Sequence, residues 1–138
     1  MRRITFVSAT VAALALAASS AWAGNPHFVG SSIVECDNNT LTVTGKEAGL
    51  GNETQVHIVV EATAQCINPG QKHPKAANKE AFSAEGDFPV QNGKANFQLT
   101  VTADLQPDCS PPMTILWADI VVYDDEHNLS KRLGDCSP

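Results

Sequence analysis

Apolar residues recur at every second position over four separate stretches of this chain, and that period decides what it can fold into. Leu41, Val43 and Gly45 alternate with Thr40, Thr42 and Thr44. Val56, Ile58, Val60, Ala62, Ala64 and Cys66 alternate with His57, Val59, Glu61, Thr63 and Gln65. Phe82, Ala84, Gly86 and Phe88 alternate with Ser83, Glu85 and Asp87, and Ala95, Phe97, Leu99, Val101 and Ala103 alternate with Asn96, Gln98, Thr100 and Thr102. Successive side chains of a strand point to opposite faces, so each stretch has one buried and one wet face. From Thr114 to Tyr123 only Asp119 is charged. A strand apolar on both sides reads as central in a sheet or covered by a loop. On that strand Trp117 and Tyr123 share a face by parity. Weaker strand candidates run from Phe28 to Cys36 and from Leu129 to Leu133, and no segment has a helical period.

The breaks between these stretches carry turn chemistry. Asn92-Gly93 joins two alternating runs and predicts a tight type I′ hairpin, whose two central residues both need positive φ. Asp37-Asn38-Asn39 and Gly49-Leu50-Gly51-Asn52 are further turn signals. Pro107, Pro111 and Pro112 bracket Cys109 in an irregular connection. About seven short antiparallel strands, each with one apolar face, bury those faces best as two sheets packed together. The expected fold is therefore all-β, an immunoglobulin-like antiparallel sandwich. A small closed β-barrel is the alternative.

The N-terminus reads as an address. Met1-Arg2-Arg3 is basic, Ile4 to Ala18 is apolar or small apart from Thr5, Ser8 and Thr10, and Ala21-Trp22-Ala23 is a small-x-small site. This is the plan of a secretory signal peptide over residues 1–23, with cleavage before Gly24 and a single domain over 24–138. The apolar run falls short of the roughly 20 residues that span a bilayer, so no stable membrane insertion is expected. Of the 138 residues, 115 then remain, and the net charge of −6 becomes −8 once Arg2 and Arg3 are set aside. An acidic domain repels phosphate backbones, which argues against nucleic acid as a partner.

Cys36, Cys66, Cys109 and Cys136 are an even set in a small exported domain and read as two disulfides. None has the C-x-x-C spacing of zinc or redox motifs, and spacing alone leaves three pairings open. The sandwich selects among them. With seven strands labelled A to G, the end of C lies beside the start of F, which pairs Cys66 with Cys109. Strands A and G can run side by side at an edge, which pairs Cys36 with Cys136.

Lys46-Glu47-Ala48-Gly49-Leu50-Gly51-Asn52, Cys66-Ile67-Asn68-Pro69-Gly70 and His73-Pro74-Lys75-Ala76-Ala77-Asn78-Lys79 carry a resemblance. Over most of the mature chain the sequence is similar to a group of small secreted proteins of actinobacteria and filamentous fungi. That group shares a KEAGLG-type turn, an H-P-x-A-A-N-K loop and a later cysteine followed by proline, here Cys109-Ser110-Pro111-Pro112. With no established activity in the group, the resemblance implies an exported β-rich domain and no catalytic residue. It also implies that Cys66 and Cys109 belong to the shared pattern, while Cys36 and Cys136 are an added pair.

Candidate sites are few. Lys72, His73, Lys75, Asn78 and Lys79 form a basic loop on an acidic protein, a candidate contact for an anion or an acidic partner. A solvated connector is the plainer reading of that loop. Asp119, Asp124, Asp125 and Glu126 are a candidate calcium patch, but without the D-x-D-x-D-G spacing they read more simply as polar turn residues. No two of His27, His57, His73 and His127 stand at ligand spacing, so neither a metal nor another cofactor is expected. No G-x-S-x-G elbow is present, so no catalytic residue is assigned. Trp117 and Tyr123 could form an aromatic platform, with core packing the plainer reading. Asn38, Asn52 and Asn128 head three glycosylation sequons in turns. The expected function is that of a secreted monomeric domain, not an enzyme, binding an extracellular protein or glycan in an effector-like or cell-surface role. The alternatives are a carrier for a small ligand or carbohydrate, and a small secreted hydrolase.

Overall fold

The computed structural model describes residues 24–68 and 78–138. The expected signal peptide, and Lys72, His73 and Lys75 of the basic loop, lie outside these residues. Eight strands follow one another: β1 (His27–Phe28), β2 (Ile33–Cys36), β3 (Thr40–Ala48), β4 (Gln55–Ile67), β5 (Lys79–Pro89), β6 (Ala95–Thr102), β7 (Thr114–Asp124) and β8 (Leu129–Cys136). They form two four-stranded antiparallel sheets. In the first, β1 and β2 both pair with one edge of β3, and β6 pairs with the other. In the second the order is β5-β4-β7-β8. The pairings β3–β6, β4–β7 and β7–β8 match the B–E, C–F and F–G neighbours of the immunoglobulin order. No ladder joins the sheets, so the fold is the expected sandwich and not a closed barrel.

The alternation in the sequence is the alternation of burial. In β6, Ala95, Phe97, Leu99 and Val101 are buried and the residues between them are exposed. In β4, Val56, Ile58, Val60, Ala62, Ala64 and Cys66 all face inward. Each fully buried Val, Ile or Phe contributes about 1.5–3 kcal/mol through the apolar surface it removes from water. Gly45 is the exception that makes room for the Phe97 ring. It stands opposite Phe97 across the β3–β6 ladder, and a Cβ there would strike that ring.

Three expectations need correction. There are eight strands where about seven were expected, because the stretch from Phe28 to Cys36 breaks at Gly30, whose φ of 63° ends β1. Both short pieces then pair with the same edge of β3. Asn92 and Gly93 do form the two-residue turn, with φ of 52° and 73°, closed by paired backbone bonds between Gln91 and Lys94. But the strands on either side do not stay paired. β5 and β6 diverge into opposite sheets, so the turn is a crossover between layers and not the tip of a hairpin.

The third correction concerns β7. Trp117 is fully buried, whereas Tyr123 is only half-buried on the outer face. A β-bulge breaks the parity between them: the ladder registers shift between Trp117 and Val121, and Asp119 takes φ of 53°. Its backbone N–H donates to Asp135 Oδ1 at 2.9 Å, which holds the extra residue in place. A bulge puts two residues opposite one and turns the following side chains over. Inward positions therefore change from Ile115 and Trp117 to Ile120, Val122 and Asp124. β7 does sit in the middle of its sheet, as its apolar character implies.

Both disulfides pair as expected. Cys66–Cys109 ties the end of β4 to the β6–β7 connection, and Cys36–Cys136 joins the ends of β2 and β8. β2 and β8 lie in different sheets with no ladder between them, so the second bridge fastens one sheet to the other. Two such bridges mark an oxidising environment. No helix of the described residues is long and apolar enough to cross a membrane.

Candidate functional site

The inward alternation of β3 does not stop at Gly45. Two residues further, it places Glu47 on the core face, and Glu47 is fully buried. The bulge in β7 does the same for Asp124 in the opposite sheet, also fully buried. These are the only buried charged residues among those described, and they meet at one end of the sandwich. The turn after β7 brings His127 between them.

Asp124 organises that turn. Its Oδ1 accepts from the backbone N–H of Glu126 at 2.9 Å and of His127 at 3.3 Å. This local capping is what short acidic side chains do at turns. Its Oδ2 stands 2.5 Å from His127 Nδ1. On the far side of the ring, Nε2 lies 2.9 Å from Glu53 Oε1, in the β3–β4 turn. Both ring nitrogens thus face carboxylates. Glu47 Oε1 is 4.0 Å from His127 Nδ1, and neither oxygen of the Glu47 carboxyl has a hydrogen-bond partner. One ligand atom each from Glu47, Asp124 and His127 can be chosen so that all three lie within 4.8 Å of one another.

The electrostatics follow from three carboxyl groups around one imidazole. Burial, with the negative charge of Asp124 beside it, pushes the Glu47 carboxyl up to about 8. Burial works against an imidazolium at His127, but the hydrogen bonds to Asp124 and Glu53 outweigh it and hold the ring above its ordinary value. Among the described residues no lysine or arginine lies within ion-pairing distance of any of these carboxylates. The side chain of His127 is 15% exposed and that of Glu53 is 41% exposed. Glu53 also borders an open depression of about 530 Å³ beside Asn52, Asn92 and Lys94. Water therefore reaches the edge of the cluster, while its two inner carboxyls are sealed.

The expected sites fall elsewhere. Asn78 donates its side-chain amide to Pro107 O at 2.6 Å, which ties the end of the basic loop to the β6–β7 connection. Lys79 is exposed at the start of β5. The acidic patch divides: Asp119 sits in the bulge, Asp125 and Glu126 are exposed, and Asp124 alone turns inward. His57 lies on the outer face between Asp87 Oδ1 at 2.7 Å and Glu85 Oε2 at 3.3 Å. Those bonds, Asp87 first, raise its pKa above the ordinary 6.5. His27 faces the backbone carbonyl of Asn25. Asn38, Asn52 and Asn128 are all exposed in turns, as acceptors require.

The outer face of the second sheet has a depression of about 400 Å³ around the bulge, lined by Glu61, Thr63, Asp119, Val121, Tyr123 and Arg132. The Tyr123 hydroxyl donates to Glu61 Oε2 at 3.5 Å. Burial, then the negative charges of Glu61 and Asp125, raises its pKa. Trp117 takes no part in any platform, being sealed in the core. Sequence reasoning missed Glu47 and Glu53 altogether and read Asp124 and His127 as a plain polar turn. The signal available was parity: Glu47 continues the inward set of β3. Comparison with protein-family models, with curated proteins and with solved structures finds no match to this chain.

Proposed function

We propose that this protein is a secreted, disulfide-stabilised binding domain that engages an extracellular glycan or protein and catalyses no reaction. The observation that carries this reading is the depression on the outer face of the second sheet. It offers the exposed part of the Tyr123 ring, the Arg132 cation and the Glu61 and Asp119 carboxylates in one concave surface. An aromatic face with a few convergent polar groups is the chemistry that holds a sugar ring. The two disulfides and the leader-like N-terminus support action outside the cell. The described histidines support binding over hydrolysis, since their hydrogen-bond partners among the described residues are carboxylates or a backbone carbonyl and not a hydroxyl or thiol.

A glycan and surface-protein array tests this. The wild type is compared with a Tyr123→Ala, Arg132→Ala variant and with a Lys72→Ala, Lys75→Ala, Lys79→Ala variant. Binding that survives the loop changes and is lost with Tyr123 and Arg132 supports the sheet-face reading. The opposite pattern moves the contact to the basic loop. Hydrolase turnover by the pure protein overturns the proposal.

A further inference from the structure

We propose that Glu47, Asp124 and His127 form a binding site for a divalent transition-metal ion of the zinc type, with Glu53 orienting the histidine from outside. The inference is independent of any partner on the sheet face. Two observations carry it. The first is the convergence of Glu47, Asp124 and His127 from two separate segments, β3 and the end of β7 with the turn that follows it, within 4.8 Å. The second is Glu47 itself. A carboxyl group fully sealed from water, with both oxygens unpartnered, is costly to keep. A bound cation gives those oxygens the partner they lack.

The donor set selects the ion class. One imidazole nitrogen with two carboxylates suits zinc and its first-row neighbours, whereas calcium takes six to eight oxygens. Around a tetrahedral ion bonded at about 2.0–2.2 Å, ligand atoms stand roughly 3.4 Å apart. The two separations from His127 Nδ1 lie either side of that figure, 2.5 Å to Asp124 Oδ2 and 4.0 Å to Glu47 Oε1, and all three ligand atoms lie within 4.8 Å of one another. The short contact is the one a shared proton makes; an ion replaces that proton and opens it. Three protein ligands leave a fourth position for water. Glu53 at 2.9 Å from Nε2 is placed as the outer carboxylate that fixes the tautomer of a metal-bound histidine, leaving Nδ1 free to coordinate. In balance, the divalent cation enters and the protons held on His127 Nδ1 and Glu47 leave to solvent.

The test uses the oxidised protein, stripped with a chelator and titrated calorimetrically with Zn²⁺ and separately with Ca²⁺. One zinc binds per chain, the melting temperature rises with zinc, and calcium does neither. Glu47→Gln, which keeps shape and removes the charge, abolishes the binding, and Glu53→Gln weakens it by about 10–100-fold. Should Glu47→Gln fail to fold, the wild type still decides the matter through the nitrogen resonances of its histidine rings. Zinc moves Nδ1 of His127 if the site is right. Absence of one-to-one binding, binding undiminished in Glu47→Gln, or a zinc shift confined to His27, His57 or His73 overturns the proposal.

Discussion

Glu47 of β3 and Asp124 of β7 meet across the interface between the two sheets, each fully buried and each at or next to the C-terminal end of its strand. Asp124 is held in that position by two backbone donors and the His127 ring. Replacing Asp124 by Ala leaves His127 Nδ1 and both N–H groups without their acceptor. The expected cost is about 2–4 kcal/mol, the range for breaking a buried hydrogen-bonded charge network. Urea unfolding checks this, and a change below about 0.5 kcal/mol, the scale of an ordinary surface substitution, would contradict it.

The bulge makes its own prediction. Asp119 holds φ of 53°, a conformation that a β-branched side chain resists. Asp119→Val is expected to destabilise the fold by about 1–3 kcal/mol, while Asp119→Gly is tolerated. Thermal unfolding of the two variants distinguishes them. Equal melting temperatures would mean that the bulge is not held where the structure puts it.

His57 gives a pH dependence. Its hydrogen bonds to Asp87 and Glu85 raise its pKa above 6.5, so the folded state holds the proton more tightly than the unfolded chain. The stabilisation is fully present below about 6.5, the unfolded value, and is lost as pH rises through the folded value. A titration of the His57 ring resonances should place its midpoint above 6.5, and Asp87→Asn should lower it. A midpoint unmoved by Asp87→Asn would refute the assignment.

The disulfides close loops of different length, with cysteines 100 residues apart in Cys36–Cys136 and 43 apart in Cys66–Cys109. Loop entropy grows only with the logarithm of length, so removing either bridge should cost about 2–5 kcal/mol, the longer one slightly more. Double Cys→Ala variants of each bridge, unfolded in urea, test the magnitudes. Peptide mapping without reduction should recover only these two pairs; a Cys36–Cys66 peptide would contradict the topology.

Much of this fold was legible because burial in a sandwich repeats the sequence period directly. The alternation in β4 and β6 named the core, and strand order named the disulfides. What parity could not convey was where it breaks. Nothing in Trp117-Ala118-Asp119-Ile120 marks a bulge by composition, yet the bulge alone decides that Tyr123 faces out and Asp124 faces in. Gly30 likewise cut one expected strand into two. The cluster was hidden for a related reason: its members lie 77 positions apart in sequence, from Glu47 to Asp124, and a site assembled by sheet packing leaves no motif. Parity extended past Gly45 puts Glu47 at an inward position, but it says nothing of partners, since those come only from the other sheet.

The most direct measurement is anomalous diffraction at the zinc absorption edge from a crystal of the oxidised protein grown with zinc. The account predicts a peak bounded by the Glu47 carboxyl, Asp124 Oδ2 and His127 Nδ1. A zinc peak found only at His57, Asp87 and Glu85 on the outer face, or none at all, would contradict it.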